Sequence, residues 1–151
     1  MLQKGIKMED ETLLDKAYQN VEVAKMIFNS SKGDEIYLNY IGYHLQQAVE
    51  LGIKYGMECF GVEYPRTHDI EQLILKCKDD DVDIGVTDYI DDHSEMFTQW
   101  EAKTRYIKNY RLESRKITKA LCEVPKFLDS ILEAVKRTYV SDTRDVSHIQ
   151  I

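Results

Sequence analysis

Prolines are almost absent from this 151-residue chain, which carries only Pro65 and Pro125, and glycine occurs seven times. So few chain breakers exclude collagenous and low-complexity classes and argue against a turn-rich β fold. The three cysteines, Cys59, Cys77 and Cys122, are an odd number without a CxxC spacing, which suggests neither a disulfide framework nor a zinc ribbon. They read as buried thiols of a cytosolic protein. No apolar run reaches the roughly 18 residues that a membrane span needs, and the segment from Met1 to Asp10 lacks the apolar stretch of a secretory signal. The expectation is therefore a cytoplasmic protein with no membrane association. Also missing are GxGxxG, the P-loop, GxSxG and HExxH, so Rossmann, Walker, hydrolase and zincin chemistries have no warrant and no cofactor is expected.

What is present is an ordinary globular balance of 43% hydrophobic and 31% charged residues. A chain of this size forms one domain that buries roughly 70% of the surface its unfolded form exposes. That domain is expected over residues 1–140, followed by a polar, aperiodic and flexible tail over 141–151.

The spacing of apolar residues predicts an all-α bundle of about five helices. The first runs from about Glu11 to Asn29 on Leu14, Ala17, Tyr18, Val21, Ala24 and Phe28. The second, about Glu35 to Phe60, carries a main stripe of Tyr37, Ile41, Leu45, Ala48, Gly52, Tyr55 and Cys59 and a second stripe of Tyr40, His44, Gln47 and Leu51. Two occupied faces suggest a bundle centre or a dimer seam, and a homodimer is expected. Gly52, unfavourable by about 1 kcal/mol in a helix interior, marks the close approach of another helix. Thr67 is expected to cap a short helix through about Lys78 with Ile70, Leu73, Ile74 and Cys77 inward, followed by a solvated loop from Asp79 to Gly85. A fourth helix should span Asp88 to Asn109 with Tyr89, Met96, Phe97, Trp100, Thr104 and Ile107 inward. The fifth should span Ser114 to Tyr139 with a kink at Pro125.

Charge along the chain is uneven, although the net value of −7 does not favour general polyanion binding. Eight acids and no Lys or Arg lie between Asp79 and Glu95, whereas seven bases and one acid lie between Lys103 and Lys119. Acids at the start and bases at the end of the fourth helix complement its dipole. In a functional reading, Arg105, Lys108, Arg111 and Arg115, interleaved with Tyr106 and Tyr110, form an anion-binding surface with platforms for bases. Asp88, Asp91, Asp92 and Glu95 share a helix face, but adjacent carboxylates on a solvated first turn are common without metal, and no metal site is expected. His44, His68 and His93 are scattered and read as hydrogen-bonded structural histidines, while His148 lies in the tail.

The run Tyr43-His44-Leu45-Gln46-Gln47-Ala48-Val49-Glu50 with Lys54, the turn Pro65-Arg66-Thr67-His68-Asp69-Ile70, and Thr104-Arg105-Tyr106 together resemble the HEPN family. The resemblance implies an up-and-down bundle of four to five helices, usually a homodimer and often encoded beside a nucleotidyltransferase, as in toxin–antitoxin-like systems. It further implies a polar groove at Tyr43, Gln47, Glu50, Lys54, Arg105, Lys108 and Arg111, although Leu51 stands where the family often has Lys. Catalytic members carry an Arg followed, after four to six residues, by His, and no His follows Arg105 in that window. Metal-free RNA cleavage needs a group that exchanges protons near the working pH, which Arg does not supply. The expected function is therefore a non-catalytic HEPN module that binds a nucleotide, RNA or a partner protein such as a nucleotidyltransferase. The alternatives are an endoribonuclease with a degenerate site and a purely structural interaction bundle.

Overall fold

The computed structural model describes residues 10–150, with side chains described as far as residue 138. Among these residues there are six α-helices and no strand: α1 Leu13–Ser31, α2 Leu38–Cys59, α3 Ile70–Asp79, α4 Asp88–Asp92, α5 Ser94–Tyr106 and α6 Ser114–Gln150. The α2 helix is the centre of the bundle and packs against α1, α3, α5 and α6. Its residues Ile41, Leu45, Ala48, Val49 and Ile53 are fully buried, and Phe97, Trp100, Phe127 and Leu128 close the core around them.

Helix ends fall where local hydrogen bonding puts them. Thr12 and Asp15 form a reciprocal capping box, each side chain accepting the other's backbone N–H at 3.0 Å, so α1 begins two residues later than its apolar pattern suggests. It ends past Ser31 with Lys32 in the left-handed region at φ 52°. The start expected at Glu35 is instead a 3₁₀ turn, Glu35–Tyr37, initiated by Asp34 accepting the Ile36 N–H, and α2 proper begins at Leu38. Both ends of the expected main stripe, Tyr37 and Cys59, are consequently exposed. The second buried face of α2 is Leu38, Gly42, Gln46 and Val49 rather than the Tyr40 row, in which Tyr40 itself is exposed. Close approach explains Gly52, since a Cβ there would lie 2.6 Å from Leu128 of α6.

Asp69, not Thr67, caps α3 by accepting the Gln72 N–H at 3.0 Å. The inward set Ile70, Leu73, Ile74 and Cys77 is buried as its spacing predicts. The loop after α3 is not merely solvated: Ile84 is buried, and Ser130 on α6 donates to the Gly85 carbonyl at 2.7 Å. The single helix expected from Asp88 to Asn109 is two helices, because His93 leaves helical geometry. Its Nδ1 bonds to the Tyr89 carbonyl at 2.7 Å and its ring stacks on Tyr89, a local side-chain bond that competes with continuation of the helix. The α5 helix then stops at Tyr106, which leaves Ile107 exposed rather than inward. Pro125 lies inside an uninterrupted α6, which extends beyond the end at Tyr139 expected from periodicity. Of the three thiols, Cys77 alone is buried; Cys59 and Cys122 are exposed.

Candidate phosphate-binding corner and the polar face of α2

The expected site residues fall into two groups joined along α2. Tyr43, Gln47, Glu50 and Lys54 are spaced by four, three and four residues, which puts them on one helix face. At the C-terminal end of that face, Glu50 is a buried carboxylate. It accepts from Lys54 Nζ at 2.9 Å, from Gln46 Nε2 at 2.9 Å and from His68 Nδ1 at 3.0 Å. Gln47 extends the chain by donating to Gln46 Oε1 at 2.7 Å. Lys54 also lies 5.4 Å from the centre of the Tyr64 ring.

This cluster satisfies itself. A desolvated carboxylate persists only where cations and donors replace its water, and here they come from α2 and from the turn before α3. The network therefore ties the two segments together, and it leaves Glu50 and Lys54 committed to each other rather than to a ligand. Gln46 and His68 belong to it although the functional pattern in the sequence omitted them. The i, i+4 relation of Gln46 to Glu50 and the Thr67-His68-Asp69 turn were the available signals.

At the other end of the face, Tyr43 meets Arg105 of α5, whose guanidinium carbon is 5.2 Å from the Tyr43 ring centre and 4.8 Å from that of Tyr106. The guanidinium is fixed by an ion pair with the Glu101 carboxylate and by Nε donating to the Glu101 carbonyl at 3.0 Å. Tyr106 is 72% exposed and Ile107 51% exposed.

The 107–113 loop that follows is pinned from α2. Asn39 donates to the Tyr110 carbonyl at 2.6 Å and accepts the Leu112 N–H at 3.1 Å. Leu112 is buried against Gly42, where a Cβ would come within 2.2 Å of its Cδ1. Asn39 escaped the sequence reading because a polar residue in a helix looks solvent-facing until its partners, 71 and 73 positions away, are known.

This pinned corner carries the basic strip. Arg115 and Lys116 pair with Glu113, and Lys119 pairs with Glu123. Among the described contacts, Lys103 reaches only the Gln99 amide, Arg111 only the Tyr110 carbonyl, and Lys108 none. Lys103 and Arg105 lie in the last turn of α5, where the helix dipole accounts for them. Lys108 and Arg111 lie beyond the helix end, so the dipole explanation covers them less well. A hollow of about 280 Å³ between α5 and the start of α6 is bordered by the cations Arg111 and Lys116 and by the carboxylates Glu95 and Glu113. Neither Lys108 nor Arg111 contacts the Glu50–Lys54 cluster in the described bonds, whereas Arg105 meets the same α2 face through Tyr43.

The remaining polar candidates are structural. His44 bonds to Asn20 at 2.8 Å, and burial holds its imidazole below the usual range. His148 lies outside the residues whose side chains are described. Among the described residues no group of His, Cys, Asp or Glu is arranged to hold a metal ion, and no helix is long and apolar enough to cross a membrane.

An all-helical bundle with a polar α2 face and an arginine at the end of the following long helix defines the class, and comparison with family models makes it specific. The HEPN domain model matches residues 11–136. The chain belongs to the HEPN domain family. No curated protein and no solved structure matches it.

Proposed function

We propose that this HEPN domain is a non-catalytic module that binds a phosphate-bearing ligand, a nucleotide or RNA, at the α5–α6 corner. The observation that carries the reading is the set of Lys103, Lys108 and Arg111, which have no carboxylate partner among the described contacts and flank in sequence an exposed Tyr106 at the end of α5, before a loop tied to α2 through Asn39. Cations without carboxylate partners are available to phosphate, and each phosphate they neutralise releases counterions. Cleavage lies outside the proposal because positions 110–112, where the four-to-six-residue spacing from Arg105 would place it, contain no His.

The test is fluorescence anisotropy with labelled nucleotides and oligonucleotides on the wild type and the Arg105→Glu/Lys108→Glu double variant at low and moderate salt. Wild-type binding that weakens with salt and is lost in a variant with unchanged circular dichroism supports the reading. Equal binding by both proteins, or none by the wild type, removes it.

A protein partner is the second reading, supported by a separate feature. Exposed Tyr37 and Tyr40 line, with Ile27 and Ser30, a cavity of about 510 Å³ where α1 ends and α2 begins, and Met26 and Ile36 are exposed on the same two segments of chain. We assign this face to a second copy of the chain. Light scattering at micromolar concentration should give twice 17.7 kDa, and a Tyr40→Glu variant should be monomeric; a monomeric wild type excludes it. The HEPN setting extends the same reading to a nucleotidyltransferase in a toxin–antitoxin-like pair, tested by co-purification with the neighbouring gene's product.

A further inference from the structure

We infer that Tyr106 is a stacking platform for an unpaired base, so that the corner takes single-stranded nucleic acid and rejects duplex. The inference rests on the phosphate-binding reading above and names its ligand class. Three observations converge on it. Tyr106 is 72% exposed at the very end of α5, although nothing in the packing requires an aromatic ring there. One side of the ring is occupied by the Arg105 guanidinium at 4.8 Å, and that guanidinium is itself clamped by Glu101 and backed by Tyr43. The flanking cations Lys103, Lys108 and Arg111 are free of carboxylate partners among the described contacts.

The physical consequence follows from geometry. A ring held by a fixed cation has already lost much of its rotamer freedom, so a ligand that stacks on its open side orders little more. Every base offers a π-face, and base–aromatic stacking tolerates any sequence. In a duplex those faces are covered by neighbouring base pairs, so a surface ring reaches them only on an unpaired strand. The cations that flank Tyr106 in sequence, Lys103, Lys108 and Arg111, then supply charge for the phosphates on either side of the stacked nucleotide, and Ile107, 51% exposed, extends the apolar surface. Tyr110 does not share this role, because its ring packs against the core and its carbonyl is taken by Asn39.

The experiment compares four labelled strands of about ten nucleotides by anisotropy: single-stranded RNA, single-stranded DNA, the same sequence as duplex, and an abasic strand with the same phosphates. Wild type should bind the two single strands about ten-fold more tightly than the duplex or the abasic strand, and RNA against DNA shows whether the sugar contributes. Tyr106→Ala should lose about ten-fold for single strands and nothing for the abasic strand, while Tyr106→Phe should retain wild-type affinity. A 2-aminopurine placed in the strand should be quenched by wild type and Tyr106→Phe but not by Tyr106→Ala. Equal affinity for abasic and intact strands, or an unaffected Tyr106→Ala, overturns the platform while leaving phosphate binding in place. No binding of any strand by wild type overturns both. Dissociation of a wild-type dimer by Tyr106→Ala would assign the ring to a contact between copies and likewise overturn the proposal.

Discussion

Replacing Asn39 with Ala tests whether α2 holds the 107–113 loop. The side chain makes two hydrogen bonds, to the Tyr110 carbonyl at 2.6 Å and from the Leu112 N–H at 3.1 Å, and Leu112 is only 6% exposed. Each bond contributes about 1 kcal/mol net, and a buried N–H left without a partner costs about 1–3 kcal/mol. A total of about 2–4 kcal/mol follows. At roughly 2–4 °C per kcal/mol for a domain of this size, the melting temperature should fall by about 5–15 °C. Urea denaturation followed by circular dichroism gives the stability, and amide exchange at Leu112 locates the loss. Exchange at Leu112 should accelerate more than at the α2 core amides, and oligonucleotide affinity should fall although Asn39 touches no ligand in the proposal. A stability change below about 0.5 kcal/mol, or loss spread evenly over the bundle, would refute the pinning of this loop.

Lys54→Met removes the main cation from a buried carboxylate and should cost about 3 kcal/mol in urea melts; the double variant with Glu50→Leu should recover part of that, whereas additive losses would show that the pair is not coupled. Of the three thiols, Cys59 and Cys122 should react with Ellman's reagent in the native protein, while Cys77, buried and pushed up to about 11, should react only on unfolding; three fast equivalents would contradict the packing of α3. Burial depresses the His44 pKa in the folded state, so its contribution to stability is complete above the unfolded value of about 6.5 and lost as pH falls through it toward the folded value; His44→Gln, which also reaches Asn20, should flatten this acid limb, and an unchanged pH profile would count against it.

The helical core was legible because its signal is periodic. Ile70, Leu73, Ile74 and Cys77, or Ile117, Val124, Leu128 and Ile131, are buried as their spacing requires. Boundaries were less legible, since they depend on single hydrogen bonds. Asp69 rather than Thr67 caps α3, and the bond from His93 to the Tyr89 carbonyl splits one periodic stretch into α4 and α5. The site was partly legible. Local spacing put Glu50 and Lys54 together, and charge counting found the basic strip. Neither reveals that Glu50 is buried and already satisfied by Lys54, Gln46 and His68, nor that Asn39 and Gly42 hold the loop, because those relations join residues far apart in the chain.

Where a bound strand touches the protein is the most direct test of the proposed ligand surface. Photo-crosslinking of a 4-thiouridine oligonucleotide, followed by mass spectrometry of the joined peptides, reads the contact residues without presupposing them. Crosslinks should concentrate within residues 103–116, with Tyr106 foremost, and should vanish from Arg105→Glu/Lys108→Glu. Crosslinks confined to α1 or to the Glu50–His68 end of α2, or none at concentrations where anisotropy reports binding, would contradict the placement of the ligand at the α5–α6 corner.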